Sequence, residues 1–81
     1  MRIVDVPLDK IYVPAGRRKT LDEEKVMELA EDILENGLQR PIYVRVGKNR
    51  YVLQEGLHRM EAMKLLGENL IDGHIVAAQR K

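Results

Sequence analysis

Gly56, His58 and Arg59 are the residues of this chain best placed to do chemistry, because Val52-Leu53-Gln54-Glu55 before them reads as a strand and Met60 to Leu66 after them as a helix. A strand that passes through a glycine directly into a helix leaves the N–H groups of the first helical turn unpartnered, at the positive end of the macrodipole. Such a turn binds oxyanions. Gly56 can take the positive φ or the close approach that opens the amides of Leu57, His58 and Arg59 to a ligand, and the Arg59 guanidinium can grip phosphate oxygens bidentately. His58 then reads as a donor to a phosphate oxygen. A nucleotide phosphate is the expected ligand. Taken without its flanking motifs, the turn has a plainer reading, in which the glycine only permits a bend and the histidine is satisfied by its surroundings. Two isolated histidines with no cysteine and no ligand spacing argue against zinc, so no metal ligands are assigned.

The elements that must position this turn are legible from periodicity. Arg2-Ile3-Val4-Asp5-Val6 alternates as a strand and stops at Pro7, and Ile11-Tyr12-Val13 is a second extended piece before a Pro14-Ala15-Gly16 loop. Thr20 reads as an N-cap with Glu23 completing a capping box, and Val26, Leu29, Ala30 and Ile33 form an apolar stripe at helical spacing that Asn36-Gly37 terminates. Ile42 to Val46 and Tyr51 to Gln54 are two strands joined through Gly47-Lys48-Asn49-Arg50. The second helix runs from about Leu57 to Leu66 and ends at Gly67, its Met60, Met63 and Leu66 being core residues. His74 to Ala78 reads as the last strand, with Arg80-Lys81 as its solvated end. The spacing therefore predicts an α+β domain: a small mixed β-sheet with two main helices packed on it.

At 81 residues the chain is a single domain, 1–81. A domain this small buries only roughly 60% of its unfolded surface. With no Cys, Phe or Trp, its core must be built from aliphatic residues, four Met and Tyr12, Tyr43 and Tyr51. Modest stability, raised by ligand or by dimerisation, follows. Fourteen basic against thirteen acidic residues leave a net charge of +1, so any attraction for a polyanion must be local. No apolar run approaches the roughly 20 residues that span a bilayer and no signal peptide opens the chain, which points to a soluble cytoplasmic protein without membrane contact.

Three segments together resemble a family. Arg18-Lys19-Thr20-Leu21-Asp22-Glu23-Glu24, then Gly37-Leu38-Gln39-Arg40-Pro41-Ile42-Tyr43-Val44-Arg45, then Gly56-Leu57-His58-Arg59 with Ala62 and Leu66-Gly67, are similar to the N-terminal domain of ParB chromosome- and plasmid-partition proteins, whose fold is shared with sulfiredoxin. The resemblance covers nearly the whole chain. It implies a bacterial, plasmid- or phage-linked protein carrying a phosphate-binding turn. The superfamily reuses that turn in CTP-binding clamps, sulfinic-acid reductases, free-serine kinases and proteins labelled nucleases, so fold alone does not select the activity.

Departures from the family patterns narrow the choice. Sulfiredoxin places its reactive cysteine where this chain has Leu57, so sulfinic-acid repair by that route is excluded. Partition proteins usually carry Glu-Arg-Arg after the glycine and continue into a helix-turn-helix and a dimerising tail; here sequence-specific DNA reading would need another chain that supplies those parts, so the partner expected is a second copy in a homodimer or a partner protein carrying a helix-turn-helix. The resemblance to free-serine kinases implies a carboxylate near the start of the first helix, where this chain has Gly16-Arg17-Arg18-Lys19, a cationic loop that cannot act as a base. Asp22, Glu23 or Glu24 are the alternatives.

The resemblance also implies that Arg18 closes over the phosphates, as its counterpart does in partition proteins, and that Lys25 reaches them, as a lysine at this helix position does in sulfiredoxin. Glu28 and Asp32, which stand where sulfiredoxin has hydroxyl residues, either repel bare phosphate or help place a hydrated Mg²⁺ with a nucleoside triphosphate. Arg40, Gln54 and Glu55 are candidates for ribose or base contacts, or are polar residues of a sheet edge. No catalytic residue is assigned. The leading expectation is binding of CTP or ATP, with or without weak hydrolysis, in a protein associated with DNA or plasmid maintenance. The alternatives are a DNA-binding or nuclease-like module and a small-molecule kinase.

Overall fold

The computed structural model describes residues 2–38 and 40–76. Five strands, β1 (Arg2–Pro7), β2 (Ile11–Tyr12), β3 (Ile42–Gly47), β4 (Arg50–Glu55) and β5 (Leu70–Ile75), form one sheet in the order β1-β5-β3-β4-β2. β1 pairs antiparallel with β5 and β3 antiparallel with β4, whereas β5–β3 and β2–β4 are parallel, so the sheet is mixed. The helices are α1 (Ala15–Arg18), α2 (Glu23–Asn36) and α3 (Leu57–Leu65), with a 3₁₀ turn at Leu8–Lys10. The α+β architecture expected from the periodicity is the one observed, and no helix of the described residues is long and apolar enough to cross a membrane.

The alternation of apolar residues along the strands decides which face of the sheet is covered. Val6, Ile42, Val44, Leu53 and Ile71 are buried in one cluster with Leu57 and Met60 of α3. Turned the other way on α3, Ala62 is fully buried against Val26 and Ala30 of α2, with Leu29, Ile33 and Leu66 packed around them. Helix α3 thus lies between the sheet and α2, and burial on both sides fixes its first turn against the sheet. Met60 and Met63 join the sheet cluster and Leu66 the α2 cluster, the core roles expected of them.

Three local expectations are corrected. Pro14-Ala15-Gly16 does not form an open loop: Pro14 precedes the short helix α1, as a residue that cannot donate an N–H readily does at a helix start. Thr20 therefore does not cap α2. Its hydroxyl donates to the Arg17 carbonyl at 2.7 Å and closes the turn after α1, while Asp22 is the N-cap, its carboxylate accepting from the N–H groups of Glu24 and Lys25. Replacing Asp22 by Ala is expected to cost about 1 kcal/mol. That is a fall of roughly 4–8 °C in melting temperature, read by calorimetry.

The last strand begins earlier than its β-branched residues suggest, at Leu70, because pairing with β1 from Pro7↔Leu70 to Arg2↔Ile75 supplies what the Asp72-Gly73 pair lacks in strand propensity. Gly73 is required there, since a Cβ would lie 2.8 Å from a methyl of Val6. The expected continuation through Ala77 and Ala78, and the end at Arg80-Lys81, lie outside the described residues.

Candidate functional site

Strand β4 ends at Glu55 and α3 begins at Leu57, so a single residue makes the change of direction. Gly56 does so at φ 111°, ψ 28°, a conformation that side chains disfavour. Space gives a second reason: a Cβ on Gly56 would stand 2.6 Å from a methyl of Ile42 and 3.2 Å from its Cα. Ile42 is fully buried, so it cannot give way without disturbing the core. The first hydrogen bond of the helix runs from the Met60 N–H to the Gly56 carbonyl at 2.9 Å, leaving the amides of Leu57, His58 and Arg59 ahead of it without intrahelical partners.

The residues that carry these amides line an open cleft of about 450 Å³, within the range of small-ligand sites. Residues 56–59 form one side, and Arg17, Thr20, Arg40 and Glu55 contribute the remaining polar groups. Three arginines, Arg17, Arg40 and Arg59, thus line the cleft with one acidic residue, Glu55. The arrangement is suited to a compact polyanion, which can take planar bidentate hydrogen bonds from the arginines and single ones from the helix amides.

His58 has a role that its residue type did not reveal. Its Nε2 accepts a hydrogen bond from the N–H of Asp22 at 3.0 Å, joining the start of α3 to the start of α2. The sequence reading made His58 a donor to an oxygen; Nε2 is instead engaged as an acceptor, and only Nδ1 remains to donate. His58, with Leu29, also lines a second groove of about 460 Å³, together with Lys25, Glu28 and Asp32.

The structure sorts the remaining candidates. Arg40 and Glu55 line the cleft with Gly56, Leu57, His58 and Arg59. Lys25 lies in the adjoining groove across His58. Gln54 does not line the cleft, and its amide donates to the Val52 and Leu53 carbonyls of its own strand at 3.3 and 3.4 Å. Arg18 lines a different cavity, of about 270 Å³, with Ile11, Val13 and Met60. Its neighbour Arg17 occupies the cleft instead. Successive residues of a helix point about 100° apart, so once α1 forms, Arg17 and Arg18 must face different surroundings. Read as loop, the segment offered no means of choosing between them. Among the described residues no group of three or more His, Cys, Asp or Glu side chains could hold a metal ion.

A mixed five-stranded sheet whose strand β4 turns through one glycine into a helix packed between sheet and α2, beneath an arginine-lined cleft, defines an α+β domain of the partition-protein and sulfiredoxin class. The chain belongs to the ParB N-terminal domain family, which it matches over residues 1–81. It is 43% identical over 65 residues to the chloroplastic/mitochondrial sulfiredoxin of Arabidopsis thaliana, covering 80% of this chain and 52% of that protein. The crystal structure of Arabidopsis sulfiredoxin superposes with a TM-score of 0.85 at 38% identity, over 96% of this chain and 88% of that one.

Two further structures share the fold at lower identity. The C-terminally truncated ParB of Caulobacter crescentus, complexed with CTP-gamma-S, superposes with a TM-score of 0.82 at 23% identity, over 98% of this chain and 46% of that one. A free serine kinase (E30A mutant) in complex with ADP gives 0.80 at 22%, over 94% and 31%. This chain thus spans about half or less of the full-length proteins it resembles.

Proposed function

We propose that this domain binds a nucleoside triphosphate, CTP or ATP, with its phosphates at the Gly56–Arg59 turn. The observation that carries the reading is that the first turn of α3 lines one cleft together with Arg17, Arg40 and Arg59. Binding of CTP-gamma-S by the Caulobacter relative and of ADP by the serine kinase supports it. Arg59 and Arg17 contact the phosphates, Nδ1 of His58 donates to a phosphate oxygen, and Arg40 and Glu55 face the ribose or base. Lys25 assists from across His58. Mg²⁺ accompanies the triphosphate, with Glu28 and Asp32 as available carboxylates in the adjoining groove.

The test is a thermal-shift series with each common ribonucleoside triphosphate, with and without Mg²⁺, against inorganic phosphate. A triphosphate should raise the melting temperature well above the effect of phosphate alone, because the cleft presents more cations than one phosphate can engage. No shift with any nucleotide contradicts the proposal. The placement of the two arginines gives a finer check by isothermal titration: Arg17→Ala should weaken triphosphate binding about tenfold or more, the value of a charge-assisted hydrogen bond, while Arg18→Ala stays within about twofold.

A further inference from the structure

The helices cover one face of the sheet, and the opposite face carries rings and cations. Tyr43 and His74, which pair across β3 and β5, stack with ring centroids 5.0 Å apart and planes inclined by 22°. Nδ1 of His74 is buried with no hydrogen-bond partner among the described residues, and the ring stacks on Tyr43. Tyr12 and Arg45 both pair with Val52, one from each side of β4. Val52 is only 6% exposed although it points away from the helices, so its neighbours on this face cover it. The guanidinium of Arg50 sits 4.0 Å from the centroid of the Tyr12 ring.

Charge divides this face. Arg45, Arg50 and the exposed Lys48 stand on the β3–β4 hairpin, whereas Asp5 and Asp72 face each other across β1 and β5. A polyanion would therefore lie along the β3–β4–β2 half. Tyr43 and Arg45 are two residues apart on β3, about 6.6 Å, so a ring rung and a cation rung alternate along the strand. Unpaired bases stack on aromatic rings while cations follow their phosphates, and a flat sheet face suits a single strand better than a duplex, whose bases are already stacked.

We propose that the open face of the sheet is a platform for single-stranded nucleic acid, with Tyr12, Tyr43 and His74 stacking on bases and Arg45, Lys48 and Arg50 contacting phosphates. The platform is separate from the cleft at Gly56–Arg59 and does not depend on its ligand.

Fluorescence anisotropy of labelled oligothymidylate and oligouridylate, titrated with the whole chain at low salt, tests it. Saturable binding is expected that weakens with added salt and exceeds binding to a duplex of the same length; tighter binding of one oligomer identifies DNA or RNA as the preferred strand. Tyr43→Ala and Tyr12→Ala should each weaken it about tenfold or more, and Tyr43→Phe should preserve it. Arg45→Gln should lower the slope of log affinity against log salt by about 1. Arg59→Ala and excess nucleoside triphosphate should leave it unchanged, which separates this platform from the cleft. If Tyr43→Ala does not fold, Tyr12→Ala on the edge strand and Arg45→Gln carry the test. Absence of single-strand binding by the folded protein, equal affinity for duplex, or equal binding by folded Tyr12→Ala and Arg45→Gln overturns the proposal.

Discussion

Gly56→Ala is expected to destabilise the domain by about 4 kcal/mol, the sum of backbone strain and overpacking, each typically 1–3 kcal/mol. Both causes are present at this residue: a φ of 111°, and a Cβ that would fall 2.6 Å from a methyl of the fully buried Ile42. A domain of 81 residues has on the order of 4–12 kcal/mol in total, so the variant sits near its unfolding threshold. Its melting temperature should fall by at least about 15 °C.

The two causes can be separated by a double-mutant cycle followed through urea unfolding. Ile42→Ala alone costs roughly 2–5 kcal/mol through the cavity it leaves. In the double variant the new Cβ occupies part of that cavity, so the combined loss should be smaller than the sum by about 1–3 kcal/mol. Strict additivity would show that Ile42 and Gly56 do not share the space assigned to them.

Arg59→Ala is expected to remove most of the stabilisation that a nucleoside triphosphate confers. At a ligand concentration of about 100 Kd, binding contributes roughly 2.7 kcal/mol. Loss of a guanidinium that hydrogen-bonds a charged ligand removes about 1.5–3 kcal/mol of affinity, leaving about 1 kcal/mol or less of stabilisation at the same concentration. Calorimetry with and without ligand reads this directly. Because Arg59 is half-buried on the first turn of α3 and contributes no residue to either apolar cluster, the ligand-free melting temperature should change little. A nucleotide-induced rise as large in the variant as in the parent chain would place the phosphates elsewhere.

Within the fold that this chain shares with its relatives, its details are its own. It has no cysteine, and Leu57 is buried at 7% exposure with the sheet cluster. That position serves packing here. His58 has one nitrogen committed to Asp22, so a ligand at the turn meets a ring already held by the start of α2. The same contact brings α1, which carries Arg17, and the connection after it, which carries Thr20, to the edge of the cleft.

Residue order by itself determined the elements whose signals are local: the glycine between strand and helix, the apolar stripe of α2, the two hairpin strands and the core methionines, since periodicity and backbone freedom are properties of a few consecutive residues. Tertiary structure alone decided that Arg17 and not Arg18 enters the cleft, that Asp22 and not Thr20 caps α2, that β5 starts at Leu70, and that His58 accepts from Asp22. Each depends on a partner far along the chain or on the orientation of a short helix, the His58–Asp22 bond joining residues 36 positions apart. No local propensity carries the direction in which a side chain finally points.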